Sequence, residues 1–325
     1  MKKARLYSHH HRFDYLMRSS VLQDLTVLSG RCPVDKTMLI VGDDYAAVVE
    51  YTDGAMEVQG QESTSFAKMT IDKIQKSGID FDNKRKFYFR PLYSETLSKS
   101  LKEMLHEEGW QLKSLMPWSF YAGNYQFFLD NRKSLRDIVH QKSNKKDFLF
   151  LGNLQQDLRP CKIDTSFGTK YPVIHCDIVK NLSEKNFISF PSRSQRILNF
   201  EKTNNCKVHV KSNVRQGLSC FEAMNEFKLL VQPHGVSVRH NIYEGMCLGI
   251  PSVVERTTYN SSLFSMFPMS DFTEKEDTST RERINKIIND DSHREDLRQN
   301  MIEFFEQNML PNSIIDSLFK RVNGD

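Results

Sequence analysis

The chain has 325 residues, 39% apolar and 26% charged, with a net charge of +4. That length accommodates two domains of ordinary size, each with its own core, and the composition excludes a disordered chain. The slight positive excess permits an anionic ligand. Without a dense Lys/Arg tract interleaved with aromatics, it predicts no nucleic-acid partner.

In chain order, a strand is expected over Ala4 to Ser8, then a polar turn His9-His10-His11-Arg12 and a helical pattern from Phe13 to Leu25. Strands follow over Met38 to Val41, ending in Gly42-Asp43-Asp44, and over Ala46 to Tyr51, ending in the turn signal Asp53-Gly54. Phe87 to Phe89 reads as a strand. Leu97, Leu101, Met104 and Leu105 fall at helical spacing within Ser94 to Glu108, with Gly109 as the stop. Asn131 to Asp147 is highly charged and reads as an interdomain connection.

Phe148 to Asn153 then opens a second alternation. It runs through a helix near Ser192 to Lys202, a strand Lys207 to Lys211, a helix near Cys220 to Glu226, a buried strand ending at Gln232, and closing helices over Arg281 to Asn289 and His293 to Asn308. Strands alternating with helices in both halves predict an α/β fold of two Rossmann-like domains with mainly parallel sheets facing a cleft. The expected division is residues 1–140, residues 147–300, and a closing helix in 301–325 that packs back on the first domain.

No apolar run reaches the length of a membrane span, and none follows the basic residues Lys2, Lys3 and Arg5 as a signal peptide would require. The six cysteines are scattered, without a CxxC pair or clustered histidines. They read as reduced thiols of a cytoplasmic protein, with no zinc site.

Residues 229–254 carry the most information. A buried strand, a Pro-x-Gly turn, a short helix and a second buried strand follow one another. The turn leaves backbone N–H groups free at the positive end of the helix, where an anion such as a diphosphate binds. With the helix starting near Ser237, Ser237, Asn241 and Glu244 share one face, while Val238, Ile242 and Gly245 face the sheet. Arg239 lies in the first turn, where its forked donors suit phosphate oxygens. Glu244, one to two turns on, is placed to accept hydrogen bonds from ribose hydroxyls. Taken singly, each of these residues reads as helix decoration or, for Ser237, an ordinary N-cap; their combination between two buried strands indicates a ligand site.

The pattern Pro233-x-Gly235-x-Ser237-x-Arg239, then Glu244-Gly245-x-x-x-Gly249-Ile250-Pro251, resembles the donor-binding segment of exostosin-like glycosyltransferases. Phe148 to Asn153 is similar to the strand and glycine turn, here Gly152, that open that family's second domain. The resemblance covers the second half of the chain, and only residues 233–254 are specific. It implies the two-domain GT-B fold, with an N-terminal acceptor-side domain and a C-terminal nucleotide-sugar domain. Ser237 and Arg239 would hold the diphosphate, Glu244 the ribose, and Gly235 would allow close backbone approach. Compact relatives are encoded by large algal viruses, and the lysine-rich composition is similar. The membrane anchor of animal and plant relatives is not expected, and the first half carries no motif of the family.

An inverting transfer needs a base for the acceptor hydroxyl and groups that hold the leaving diphosphate. In an open α/β sheet the ligand crevice lies beyond the carboxyl ends of the strands. The candidates are therefore His9, His10, His11 and Asp14 after one strand, and Asp43 and Asp44 after another. Each histidine also reads as part of a polar turn. Asp80-Phe81-Asp82 has a metal-binding spacing but the surroundings of a solvated turn, so no metal is expected. His175-Cys176-Asp177 lacks a visible partner set, and the aromatics Trp118, Phe120, Tyr121, Tyr125, Phe127 and Phe128 read as core rather than as a sugar platform.

The sequence thus predicts a metal-independent, inverting glycosyltransferase without a cofactor. The resemblance implies a nucleoside-diphosphate sugar as donor, UDP-linked in preference to GDP-linked, with a pentose such as xylose among the sugars. The enzyme's partners are that nucleotide sugar and a glycan or glycoprotein acceptor. The alternatives are a nucleotide-sugar or glycan-binding module without catalysis and an epimerase of the same fold; no GxGxxG fingerprint supports a dinucleotide enzyme.

Overall fold

The computed structural model describes residues 3–8, 11–51, 60–91, 99–116, 118, 124–150, 172–175, 207–210, 217–232, 240–255, 270–272, 283 and 286–324. The described residues fall into two units. Those within 1–118 and 305–325 form the first, and those within 119–257 and 266–304 the second. Both are α/β, and parallel strand pairing predominates.

In the first unit, β1 (Ala4–Ser8), β2 (Thr26–Gly30), β3 (Thr37–Val41), β4 (Tyr45–Glu50), β5 (Arg85–Pro91) and β6 (Trp110–Leu115) form one sheet in the order β2-β1-β3-β4-β5-β6. β3 and β4 are buried along their whole length, as continuous apolar runs in the middle of a covered sheet should be. The sheet is mixed. β1 runs parallel to β2, and β4, β5 and β6 are parallel to one another, but β3 is antiparallel to both of its neighbours. Three residues join β3 to β4, far fewer than a parallel crossover needs.

Helix α3 (Gly60–Gln75) and helix α4 (Lys99–Glu107) cover one face, where Ala67, Ile71, Leu101 and Leu105 pack against Ala46, Val48 and Tyr88. Gly109, at φ +75°, follows the end of α4 as its spacing predicts. The helical pattern over Phe13 to Leu25 is divided at Arg18 and Ser19 into α1 (Asp14–Met17) and α2 (Ser20–Leu25); Ser19 Oγ accepts the Leu22 N–H as an N-cap.

In the second unit, β7 (Lys146–Phe150), β10 (Phe227–Gln232), β11 (Ser252–Glu255) and β12 (Ser270–Phe272) form an all-parallel sheet in the order β12-β11-β10-β7. β8 (Pro172–His175) and β9 (Lys207–Val210) form a parallel pair. The helices are α5 (Asn124–Gln141), α6 (Gly217–Asn225), α7 (His240–Leu248) and α8 (Asp291–Phe304). The charged stretch from Asn131, read as connecting chain, is instead the larger part of α5 up to Gln141. Lys133 and Asp137 are exposed, while Leu135, Arg136 and Val139 are buried.

A π-turn (Phe305–Met309) leads into α9 (Pro311–Asn323), which begins with proline and buries Ile314, Ile315, Leu318, Phe319 and Val322 at helical spacing. It packs on α1, α2 and β6. Ser20 N–H donates to Asn312 Oδ1 (3.0 Å), and Arg85 Nη1 donates to the Val322 carbonyl (2.9 Å). The tail therefore belongs to the first unit's core. Among the described residues no helix is long and apolar enough to cross a membrane.

Candidate functional site

The two strands and the helix of the pattern are present as β10, α7 and β11, with Leu230 beside Ser252 and Val231 beside Val253 in a parallel ladder; residues 233–239 between β10 and α7 lie outside the described residues. The described helix begins at His240. Gly152, Gly235, Ser237, Arg239 and Val238 lie outside the described residues, so of the donor-side candidates the structure describes Glu244. Gly245 faces the sheet as its spacing predicts, and Ile242 is buried. A Cβ on Gly245 would stand 2.4 Å from Leu230 Cδ1, so glycine sets how closely α7 lies on β10.

Gly249 has a different task. At φ +71° it ends α7, with its own N–H donating to the Met246 carbonyl (3.1 Å) and that of Ile250 to the Gly245 carbonyl (2.8 Å). A Cβ there would fall 2.7 Å from Ile302 Cδ1 and 2.9 Å from Arg298 Cγ on α8. Gly249→Ala is expected to destabilise by about 2–3 kcal/mol, combining left-handed backbone strain with overpacking. A thermal midpoint unchanged from the native protein would show that α8 yields without cost.

Glu244 is fully buried. Its Oε1 accepts a hydrogen bond from Nδ2 of the equally buried Asn124 (2.8 Å), at the start of α5. Its Oε2 accepts from the Cys220 thiol on α6 (3.4 Å). The face of α7 that carries Glu244 is thus covered by α5 and α6. A second tie joins the same helices, because Arg136 Nε on α5 donates to the Cys247 carbonyl near the end of α7 (2.7 Å). A carboxylate inside a unit needs such donors, since an ion taken out of water without them is strongly disfavoured. Neither Asn124 nor Cys220 is singled out by the sequence, because nothing in the order of residues says which helix covers which.

In the first unit the structure describes His11 and Asp14, three residues apart in the chain. Both are exposed, in a 3-10 turn (His11–Phe13) and the first turn of α1, just beyond the carboxyl end of β1. His9 and His10 lie outside the described residues. Asp43 and Asp44 are at the opposite edge of the sheet, because β3 is antiparallel to β1 and Arg5 pairs with Val41. There Asp44 Oδ2 accepts from Arg85 Nη2 (2.6 Å) in an exposed ion pair. The structure therefore does not bring Asp44 to the histidines.

The carboxyl ends of β4 and β5 carry a group that the sequence reading missed. Glu50, fully buried, accepts from the Tyr88 hydroxyl at Oε2 (2.6 Å) and faces Arg90 Nε across 3.6 Å at Oε1. Burial pushes the Glu50 carboxyl above the usual carboxylate range, against the opposing pull of Arg90, the Tyr88 hydrogen bond and Lys36. Burial and the neighbouring Glu50 together hold the Tyr88 phenol well above its ordinary value. The signal was available in the sequence, since a charged residue closes each of the apolar runs Tyr45–Val49 and Phe87–Phe89.

Asp80 caps its own turn, its Oδ1 accepting the Asp82 N–H (2.9 Å) while Phe81 is buried between them. His175 ends β8, and Cys176 and Asp177 lie outside the described residues, as do Phe120 and Tyr121. Trp118 is core, packed against Phe13 and Tyr51 at centroid distances of 5.9 and 6.0 Å, and Phe128 is buried in α5.

No protein-family model matches the chain, and no curated protein matches it in sequence. Solved structures similar to it in fold include HepE of Anabaena in complex with UDP and glucose, at 11% identity and a TM-score of 0.47 over 85% of this chain and 71% of that one. A glycosyltransferase of Rickettsia africae is similar at 10% identity and a TM-score of 0.44, covering 87% of this chain and 100% of its own. Sucrose-phosphate synthase of Thermosynechococcus elongatus is similar at 10% identity and a TM-score of 0.45, over 84% and 81%. With TM-scores below 0.5 these likenesses carry no argument, and the fold rests on the chain's own sheets and helices.

Proposed function

We propose that the protein is a glycosyltransferase of the exostosin-like type. It moves a sugar from a nucleoside diphosphate, UDP-linked in preference to GDP-linked, to a glycan hydroxyl, with inversion and without a metal. The observation that carries this reading is α7, which follows the carboxyl end of β10 in an all-parallel sheet and bears the carboxylate of the family-like pattern. Ligands of open α/β sheets bind beyond that edge, and the start of such a helix favours a diphosphate.

In this reading Gly152 and Gly235 give the donor close backbone approach. Ser237 and Arg239 hold the diphosphate as charge develops on it. Glu244, fully buried beside Asn124 and Cys220, accepts from the ribose once the donor displaces the Cys220 thiol from Oε2. The acceptor proton goes to the group His9, His10, His11 and Asp14 after β1, where an imidazole nitrogen or a carboxylate can accept it. Asp44, tied to Arg85 at the other edge, has no part in it. Xylose is the sugar to test first.

Titration of the full chain with UDP, GDP and their sugar conjugates tests the proposal, with thermal stability as the readout and with or without EDTA. Ligand at 100 times its dissociation constant adds about 2.7 kcal/mol of stability. Stabilisation by one nucleotide class, unaffected by EDTA, is expected. Stabilisation by none of them would overturn the transferase reading, and a shift abolished by EDTA would overturn its metal independence.

A further inference from the structure

The amino edge of the second unit's sheet holds a cavity of about 310 Å³, within the lower range of small-ligand sites, roughly 300–1,000 Å³. Because β7, β10 and β11 are parallel, their starts lie together at this edge, where Lys145, Phe227 and the segment Gly249 to Pro251 line the cavity. The end of α5 and the first half of α8 complete it. The carboxyl edge, from which the chain leaves β10 toward α7, is a strand's length away, roughly 20 Å for six residues. This cavity is a separate place from the site proposed above.

Its wall has two parts. Val139, Phe227, Ile250 and Pro251 supply apolar surface. Against them stand five cationic side chains, Lys142, Lys145, Lys228, Arg294 and Arg298, with two carboxylates, Asp291 and Glu295, and His140. Part of that charge is already engaged. Arg294 pairs with Asp291 and donates to the Ile287 and Ile288 carbonyls (both 2.9 Å), and Lys228 Nζ donates to the Ile288 carbonyl (3.2 Å). Arg298 Nε donates to both Glu295 oxygens (3.2 and 3.0 Å), and His140 Nδ1 lies 3.5 Å from the same carboxylate.

What is left over is cationic. Arg298 Nη1 is buried without a hydrogen-bond partner among the described residues, which is unfavourable for a charged donor. Lys145 is half-buried at the cavity, with Arg294, Lys142 and Arg298 around it and one carboxylate, Glu295, in opposition.

We propose that this cavity binds a phosphoryl dianion, either inorganic phosphate or the phosphate of a small monoester, held by Lys142, Lys145 and Arg298. Such an anion satisfies the buried guanidinium and relieves the repulsion among the cations, and the apolar wall accommodates the carbon part of a monoester. Burial, followed by the charges of Arg294, Lys142 and Arg298, pushes the Lys145 ammonium down to about 8, with Glu295 opposing. An anion beside it favours the charged form and returns the group toward its ordinary value. Binding near pH 8 therefore draws protons onto Lys145.

The test is calorimetric titration of the full chain at pH 8 with inorganic phosphate and with glucose 6-phosphate, in two buffers of different ionisation enthalpy. Expected are binding with proton uptake, its loss together with a tenfold or greater weakening in Lys145→Gln, and a several-fold weakening in Lys142→Gln. Lys142 is exposed, so its replacement leaves the fold intact. Tighter binding of the ester identifies a phosphorylated metabolite, and equal binding identifies free phosphate. No heat with either at millimolar concentration, or binding unaltered by both substitutions, overturns the proposal.

Discussion

Arg90→Ala is expected to lower stability by roughly 3–5 kcal/mol at neutral pH, the usual consequence of leaving a buried charge without its partner. Glu50 is fully buried with its carboxylate between the Tyr88 hydroxyl and Arg90, and Oε1 has the guanidinium but no hydrogen bond among the described residues. The pH dependence distinguishes this from lost packing. Because the folded-state value of Glu50 is raised above 4.5, the native chain holds its proton to higher pH than the unfolded chain does. Between 4.5 and the raised value stability therefore falls as pH rises. Arg90 opposes the shift, so its removal widens that window upward. The loss in Arg90→Ala should be larger at pH 7 than at pH 5 when urea unfolding is followed at both. Equal losses would assign Arg90 a packing role alone. The double variant Glu50→Gln with Arg90→Ala should recover much of the difference, since removing both charges leaves none unpaired.

Glu244→Ala should cost roughly 2–4 kcal/mol, because it strips the Asn124 amide and the Cys220 thiol of their acceptor and opens a cavity among α5, α6 and α7. Glu244→Gln keeps the volume and one acceptor oxygen for Asn124, so it should cost only about 1 kcal/mol. The proposed ribose role separates the two effects. The amide removes the charge that strengthens a bond from a ribose hydroxyl, so donor affinity in Glu244→Gln should fall by about 1–3 kcal/mol although the protein stays folded. Thermal denaturation gives the first quantity and calorimetry with UDP or GDP the second. Native affinity in a folded Glu244→Gln protein would make Glu244 a carboxylate that joins three helices, with the ribose bound elsewhere.

Local patterns were legible where the chain alone sets them. The strand Ala4–Ser8 has the boundaries expected of it, Gly109 stops its helix at positive φ, and the β10–α7–β11 succession follows from two apolar runs around a short helical period. The all-buried β3 and β4 read as apolar runs for the same reason, since a strand covered on both faces has no polar alternation. Asp44 shows where this ends. Side chains alternate with a period of two in either strand direction, so composition could not tell that β3 runs against β1. The three-residue link to β4 held the clue, because it forces those two strands to be antiparallel and puts the end of one at the start of the other.

Helical spacing grouped Glu244 with Ser237 and Asn241, and of these the structure describes the surroundings of Glu244. Whether a face meets water or another helix depends on segments far away in the chain. Asn124 lies 120 residues from Glu244 and Arg136 lies 111 from Cys247, and no local period carries that information. The same holds for α5, whose charges are those of a linker although Leu135 and Val139 are buried, and for the cationic cavity, assembled from the starts of parallel strands, the end of α5 and the first turns of α8. Periodicity, turn chemistry and glycine placement act over a few residues and are written in order along the chain. Strand direction, helix cover and the pairing of buried charges arise only when distant segments meet, because their energies come from burial and from partners that the local sequence does not contain.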